Sequence, residues 1–530
     1  MKKILLQFGA VAASALLLTG CLEESVPTSI VTESALTSSA KAGEALLQSV
    51  SGQMKRYDIL GRGFGYDFGI PSMMIARDCL TGDFTHCESG YDWYSAWETN
   101  INMGQDYVYA QCMWNTYYKA ILAANNGVKA FSAESDDANT LGYRGVSLAN
   151  RAALYLDMAQ MYLWLPNDRT SAVNADGNNI EGLTVPIVTE ETTEAECQNN
   201  PRASKEEMAA FILKDLNEAE ALIGKAARVS KEMPDLAVVY GLKARYFMWL
   251  ENYPEAAKYA RMAITESGAT PLTKTEWLDT AAGFNDLGVS SWLWGLQYSG
   301  DENAVQTGIL NWTSWQSNET EFGYAGAGPF IVIDANLYKS INDTDFRKLS
   351  FKAPAGSALE NKEPIVNSDL FANMPEYASL KFRPGSGNIS DPKVACAVGV
   401  PLMRVEEMYL IEAEAVAHTS ATQGKELLEA FVQTYRDPAY VCKATDQEGI
   451  IDACFNQKRI ELWGEGLIFF DLKRLNKSVT RSYEGSNFQS LSQFNTEGRP
   501  AWVNLVITRQ ESQSNVGVEG FNNPDYSGLY

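Results

Sequence analysis

Arg404-Val-Glu-Glu-Met-Tyr-Leu-Ile-Glu-Ala-Glu-Ala415 is followed by Gln457-Lys-Arg-Ile-Glu-Leu-Trp-Gly-Glu-Gly466 and then by Phe470-Asp-Leu-Lys-Arg474. Tyr409, Leu410, Ala413, Val416 and Ala417 recur at helical spacing; Leu427, Leu428, Phe431 and Val432 make a second apolar face, and residues 450–463 a third. Charges are set within this pattern. Arg404 and Glu407 stand three apart, a separation at which a helix lets them pair; Arg459 and Glu461 interleave with Ile460 and Leu462; Asp471 follows Phe469 and Phe470. Arginine's planar fork suits buried carboxylates, so these residues read as structural ion pairs between packed helices rather than catalytic acids.

Two further helical blocks lie upstream. Residues 103–128 carry Tyr107, Met113, Trp114, Tyr117, Tyr118, Ile121 and Leu122 at helical spacing, and residues 138–165 continue to a stop at Pro166. After Pro201, Ser204 followed three residues later by Glu207 forms a capping box. Beyond Pro234, Tyr240, Ala244 and Phe247 share one face; Pro254 opens a second helix with Ala256, Ala260 and Ala263. Large residues facing small ones across a short turn let two antiparallel helices approach closely, and the pattern resembles a tetratricopeptide repeat, with Lys243 where that repeat prefers Leu. Residues 271–400 hold Gly, Pro, Asn and Asp clusters with short apolar runs, too long for a single connection, and read as a loop-rich insert with short strands. The division expected is therefore 41–270 helical, 271–400 insert, 401–475 signature helices and 476–530 an irregular tail over the surface.

The ends and the composition narrow the function. Lys2 and Lys3, an apolar run to Leu18 and then Leu18-Thr19-Gly20-Cys21 read as a signal peptide over 1–20. The cysteine resembles that of a bacterial lipobox, which makes Cys21 the acylated mature N-terminus, with 21–40 a Ser- and Thr-rich tether. No later stretch is apolar for the eighteen or so residues a membrane helix needs. With 43 Lys and Arg against 66 Asp and Glu, the formal charge of −23 argues against nucleic acid. Only His86 and His418 occur, too few for a His-rich metal site or a His-centred triad, so no metal, cofactor or catalytic residue is assigned. The seven cysteines after Cys21 are an odd number; Cys79 with Cys87 and Cys442 with Cys454 could each close a short loop.

Taken in order, the signature from Arg404 to Arg474, Trp114 with Tyr117, Ile121 and Asn125, Val185-Pro186-Ile187, Pro201-Arg202-Ala203-Ser204, Asp215-Leu216 and Leu242-Lys243-Ala244-Arg245 resemble the RagB/SusD family of surface lipoproteins from Bacteroidota nutrient-uptake systems. The tail departs from the family pattern, with Val506-Ile507-Thr508 in place of Pro-Ile-Pro. The resemblance implies a mainly α, SusD-like fold of tetratricopeptide-type repeats with a loop-rich insert. It also implies a non-enzymatic lipoprotein, anchored in the outer membrane and facing outward, that captures an oligosaccharide or other nutrient for a TonB-dependent, SusC-like transporter.

Aromatic residues crowd two loops. Tyr91-Asp92-Trp93-Tyr94-Ser95-Ala96-Trp97 follows a Gly-rich stretch with no phosphate-loop spacing, and the insert holds Trp312, Trp315, Phe322 and Tyr324 among Asn311, Gln316 and Asn318. An aromatic ring offers a flat apolar face to the C–H side of a sugar, and amides can bond its hydroxyls. Trp93, Tyr94, Trp97, Trp312, Trp315 and Tyr324 are the expected stacking residues, against the plainer reading of core packing. Two other classes remain open at this stage: a glycoside hydrolase, which needs two carboxylates across a sugar, and a helical scaffold that binds protein.

Overall fold

Local chemistry sets where the helices begin. Asp137, Ser204, Asp235 and Asn252 each accept a backbone N–H in the first turn of a helix; at Ser204 its own backbone N–H donates in return to the Glu207 carboxylate, which completes the capping box. The computed structural model describes residues 40–530; the leader, Cys21 and the tether up to residue 39 lie outside the described residues. The longer helices are α1 (Ala40–Met54), α2 (Ile70–Cys79), α3 (Val108–Ala130), α4 (Ala138–Tyr162), α5 (Lys205–Leu222), α6 (Leu236–Trp249), α7 (Tyr253–Ser267), α8 (Val405–Ala417), α9 (Ala421–Tyr435), α10 (Gln447–Glu461) and α11 (Ile468–Arg474). Neighbours in sequence pack in space: α3 on α4, α4 on α5, α6 on α7, α7 on α8 and α8 on α9, with α10 returning to α8. No helix among the described residues is long and apolar enough to cross a membrane.

The α6–α7 hairpin shows why the repeat-like spacing works. Ala256, Ala260 and Ala263 are fully buried, and Glu251 takes a left-handed φ of 57° to turn the chain. Phe247 stacks on Tyr259 at 5.5 Å. Lys243 is buried as well; its ammonium bonds Asn217 Oδ1 at 2.7 Å, pairs with Glu220 and lies over the Tyr259 ring, so a polar network replaces the usual leucine.

Two small antiparallel sheets stitch the insert to the rest of the chain. β1 (Phe84–His86) pairs with β3 (Ile331–Ile333), Phe84 opposite Ile333; β2 (Trp292–Gln297) pairs with β4 (Gly399–Arg404), Trp292 opposite Arg404. Both carry almost wholly buried residues, so the insert shares the main hydrophobic core. A smaller core of Leu410, Ala413, Leu428, Phe431, Val432 and Ile450 lies among α8, α9 and α10.

α8 and α9 approach so closely that a Cβ on Gly424 would stand 2.5 Å from the Cα and Cβ of Ala417. Gly424→Ala therefore trades a gain of about 1 kcal/mol in helix propensity against about 1–3 kcal/mol of overpacking between two backbones. The expected result is a net loss of stability, read as a lower denaturant midpoint at unchanged slope.

Two expectations need correction, the Arg404–Glu407 pair and the disulfides. Arg404 is the last residue of β4, with extended backbone, so it does not pair with Glu407 along a helix; it reaches Glu461 and Glu465, while Glu407 takes the Arg245 guanidinium of α6 at 2.6 Å. Arg459 pairs with Asp83, and Asp471 bonds Lys458 at 2.9 Å and Arg474 at 2.6 Å. The cysteines from Cys79 to Cys454 are all free thiols: Cys442 and Cys454 are buried apolar neighbours in the smaller core, and Cys79 lies inside α2.

Candidate functional site

Strand β1 and helix α2 deliver the loops that carry the rings. Cys87 N–H bonds the Phe330 carbonyl at 2.9 Å, extending the β1–β3 pairing, and Gly328 approaches Ser89 closely enough that an added Cβ would touch its side chain. The 88–94 turn is thereby set beside residues 322–328. Within that turn Ser89 N–H bonds both carboxylate oxygens of Asp92 at 3.0 Å, and Tyr91 N–H bonds Ser89 Oγ at 3.1 Å, a local lock of the kind that holds Asx turns.

The rings form two layers. The inner layer is Tyr66, Tyr94, Trp97 and Trp315, each at most 1% exposed. Trp315 meets Tyr94 edge-on at 4.8 Å and donates its indole N–H to the Gly65 carbonyl at 2.8 Å; Tyr66 meets Trp97 edge-on at 5.1 Å; the Tyr94 hydroxyl shares a 2.7 Å bond with Ser72. Burial raises the Tyr94 hydroxyl well above its ordinary pKa, against the Ser72 bond, so it stays neutral. The outer layer is Phe64, Tyr91, Trp93 and Tyr324, half-buried except Tyr91, which is 59% exposed. Tyr324 stacks on Trp315 at 4.5 Å and 21°; Tyr91 lies 6.2 Å from Tyr324, and Trp93 lies 6.1 Å from Phe64. Gly65 permits this, since a Cβ there would stand 2.8 Å from the Trp93 indole. Rigid rings resting on rigid rings lose little freedom when a ligand lands on them.

Of the six rings expected to stack on ligand, Trp93 and Tyr324 lie in the outer layer. Tyr94, Trp97, Trp312 and Trp315 are corrected to core residues: they present no face to solvent, and Trp312 packs edge-on against Phe382 at 5.3 Å. The amides are likewise structural. Asn311 caps the Trp312–Gln316 helix, Gln316 donates to Gly464 O at 3.1 Å, and Asn318 bridges Ile331 and Ser379. The sequence reading passed over Phe64 and Tyr91. A single phenylalanine among glycines at Gly61-Arg-Gly-Phe-Gly65 was the available signal for the first, and adjacency to Asp92-Trp93 for the second.

Among the described residues no group of three or more His, Cys, Asp and Glu is placed to hold a metal. Near the platform, His86 and Glu98 are buried and bonded at 3.1 Å; burial would raise the Glu98 carboxyl, but His86, Thr85 and Arg481 outweigh it and hold it low.

Two family models match, one described as "Starch-binding associating with outer membrane" over residues 73–248 and one as the SusD family over residues 280–516. Among curated proteins, none matches this chain. The fold is similar to that of a SusD-like carbohydrate binding protein from Bacteroides vulgatus ATCC 8482, with TM-score 0.70 and 22% identity over 92% of this chain and 99% of that one. It is also similar to a SusD superfamily protein from Bacteroides thetaiotaomicron VPI-5482, with TM-score 0.67 and 19% identity over 91% and 99%. A laminarin binding SusD-like protein aligns with TM-score 0.61 and 18% identity over 90% and 97%. The two family models, which between them match residues 73–248 and 280–516, place the chain in the SusD/RagB family.

Proposed function

We propose that this protein is a non-catalytic, lipid-anchored receptor of the outer membrane that captures an oligosaccharide at its exterior face and passes it to a TonB-dependent, SusC-like transporter. One observation carries the capture step: the outer rings Phe64, Tyr91, Trp93 and Tyr324 rest on a buried aromatic layer, with Tyr91 exposed and the other three half-buried at the surface of the cluster. Such a platform suits the alternating C–H and hydroxyl faces of a sugar chain. The lipobox at Cys21 supports the anchor, and family membership supports the transporter partner. Because a laminarin binding protein shares the fold, β-glucan oligosaccharides are the first ligands to test.

Titration calorimetry with a glycan panel is the measurement. Tyr91→Ala and Trp93→Ala are each expected to weaken binding about tenfold or more, the effect of losing an anchor worth roughly 1.4 kcal/mol or above, without turnover of the glycan. Tyr91 is the cleaner probe, since its exposed ring leaves the fold intact when removed. Full affinity in both variants, or release of reducing ends by the wild type, would refute the reading.

A further inference from the structure

A cleft of about 1000 Å³ opens elsewhere on the molecule, between α3, the turn around the Glu194–Cys197 helix and the tail around the Arg509–Ser514 helix. It shares no residue with the ring platform, and its volume lies within the range of small-ligand sites.

Its polar lining divides into a fixed set and a free set. Asn515 is fixed: its Oδ1 accepts Asn200 N–H at 2.8 Å, and its Nδ2 donates to the Asn200 carbonyl at 2.7 Å and to Glu511 at 2.9 Å. Glu511 in turn accepts the Trp114 indole N–H at 3.2 Å, and Trp114 lies 4.7 Å from Tyr118 to floor the cleft. Gln510 Oε1 gathers the amides of Gln111 and Asn115 at 2.9 and 3.3 Å, so Gln510 Nε2 and Asn115 Oδ1 stay available. The side chains of Gln198, Asn199 and Gln513 are exposed in the same lining and make no hydrogen bond to the described residues. Paired donors and acceptors without formal charge are what adjacent sugar hydroxyls require.

Charge makes the choice among sugars. Among the described residues no lysine or arginine lines the cleft, whereas Glu194 and Glu511 do. The negative field is felt by Cys197 in the lining, whose thiol is pushed up by burial and by Glu511, Glu196 and Glu194. An acidic sugar would meet repulsion with no cation to answer it.

We infer that this amide-lined cleft is a second carbohydrate site, independent of the ring platform, which takes a neutral oligosaccharide and rejects uronate or sulfated ones. Two separate contacts on one chain would raise retention of a long glycan by avidity, without any new affinity at either.

Cys197 provides the test, because it is half-buried in the cleft and chemically addressable. The full chain is alkylated with iodoacetamide at mildly basic pH, and the rate at Cys197 is followed by peptide mass spectrometry with gluco-, xylo- and manno-oligosaccharides or oligogalacturonate present. A neutral oligosaccharide at nine times its Kd is expected to slow Cys197 to about one tenth, by mass action, while oligogalacturonate leaves it unchanged. The protection should persist in Tyr91→Ala and Trp93→Ala and vanish in Asn115→Ala/Gln510→Ala, whose replaced side chains are not buried. If no neutral oligosaccharide slows the reaction, or if protection follows Trp93 instead of Asn115 and Gln510, the second site is wrong. Platform binding, measured separately by calorimetry, can fail or stand in either case.

Discussion

Glu461→Gln is expected to lower the free energy of unfolding by about 3–5 kcal/mol, the loss typical of removing one partner from a buried ionic network. The carboxylate is fully buried and takes four hydrogen bonds from arginine side chains: Arg404 and Arg436 on Oε1 at 3.2 and 2.8 Å, Arg347 and Arg436 on Oε2 at 3.0 and 2.7 Å. Around it Arg347, Arg404, Arg436 and Lys381 are balanced by Asp345, Glu406, Glu461 and Glu465. Glutamine leaves one positive charge unanswered and turns an N–H donor toward arginine donors. Lys381 shows how narrow the balance is: burial pushes its ammonium down to about 8 even with Glu465 at 2.7 Å. The contrast is Glu412→Gln, whose partner Arg261 is 46% exposed and whose loss should cost about 1 kcal/mol or less.

The pH dependence fixes the sign. Burial alone would raise the Glu461 carboxyl, but Arg436, Arg404 and Arg347 outweigh burial and hold it below the usual carboxylate range. A carboxyl depressed on folding contributes stability that is complete above its ordinary value of 4.5 and is lost as pH falls toward the folded value. The gap between wild type and Glu461→Gln should thus be widest above about pH 5 and narrow by about 1.4 kcal/mol per pH unit below 4.5. Urea titrations at pH 7 and pH 3.5 measure both, and a gap under 1 kcal/mol at pH 7, or one that widens in acid, rules the account out.

How the sequence was readable follows from the same residues. Helix spacing, caps and the signature placed α3 to α10 and the family, because those signals are local or carried by order along the chain. Pairing inside the signature was not readable: the three-residue rule at Arg404 and Glu407 assumes both lie in one helix, and Arg404 ends a strand whose partner is Trp292. The platform was half readable. Density of Tyr and Trp between 91 and 97 and between 312 and 324 marks where rings gather, but a ring that floors a platform and a ring that supports it are the same chemistry. Long-range contacts, the β1–β3 pairing and the Trp315 bond to Gly65 among them, set Trp93 and Tyr324 outermost and Tyr94 and Trp315 beneath. The amide cleft was invisible for a similar reason: residues 198–200 and 510–515 are unremarkable polar segments until Asn515 joins them.

Arg202→Met should release the C-terminal tail, at a cost of about 2–4 kcal/mol from orphaned carbonyls. Arg202 is 5% exposed and pairs with no carboxylate among the described residues; its fork serves the carbonyls of Thr184 at 2.8 Å, Tyr162 at 2.9 Å, Leu183 at 2.8 Å and Phe521 at 2.7 Å, and Asn523 Oδ1 at 3.0 Å. Burial pushes the guanidinium down to about 9, with Tyr118 and Tyr162 opposing, so it is still a cation in neutral solution and its five bonds are charge-assisted. Three chain segments meet at this one group: the end of α4, the 183–184 strand-like stretch and residues 521–523, where Asn523 repeats the link by donating to Tyr162 O and Leu505 O. Methionine fills the volume and serves none of the acceptors. Lysine keeps the charge yet can satisfy at most three of them, so Arg202→Lys should fall between wild type and methionine. Because the tail supplies one wall of the amide cleft, hydrogen exchange in Arg202→Met should rise across residues 503–527, and Cys197 should lose its protection, while the platform loops at 58–69 and 88–97 keep wild-type exchange. Exchange that rises uniformly would mean that Arg202 supports the whole core instead of fastening one end of the chain.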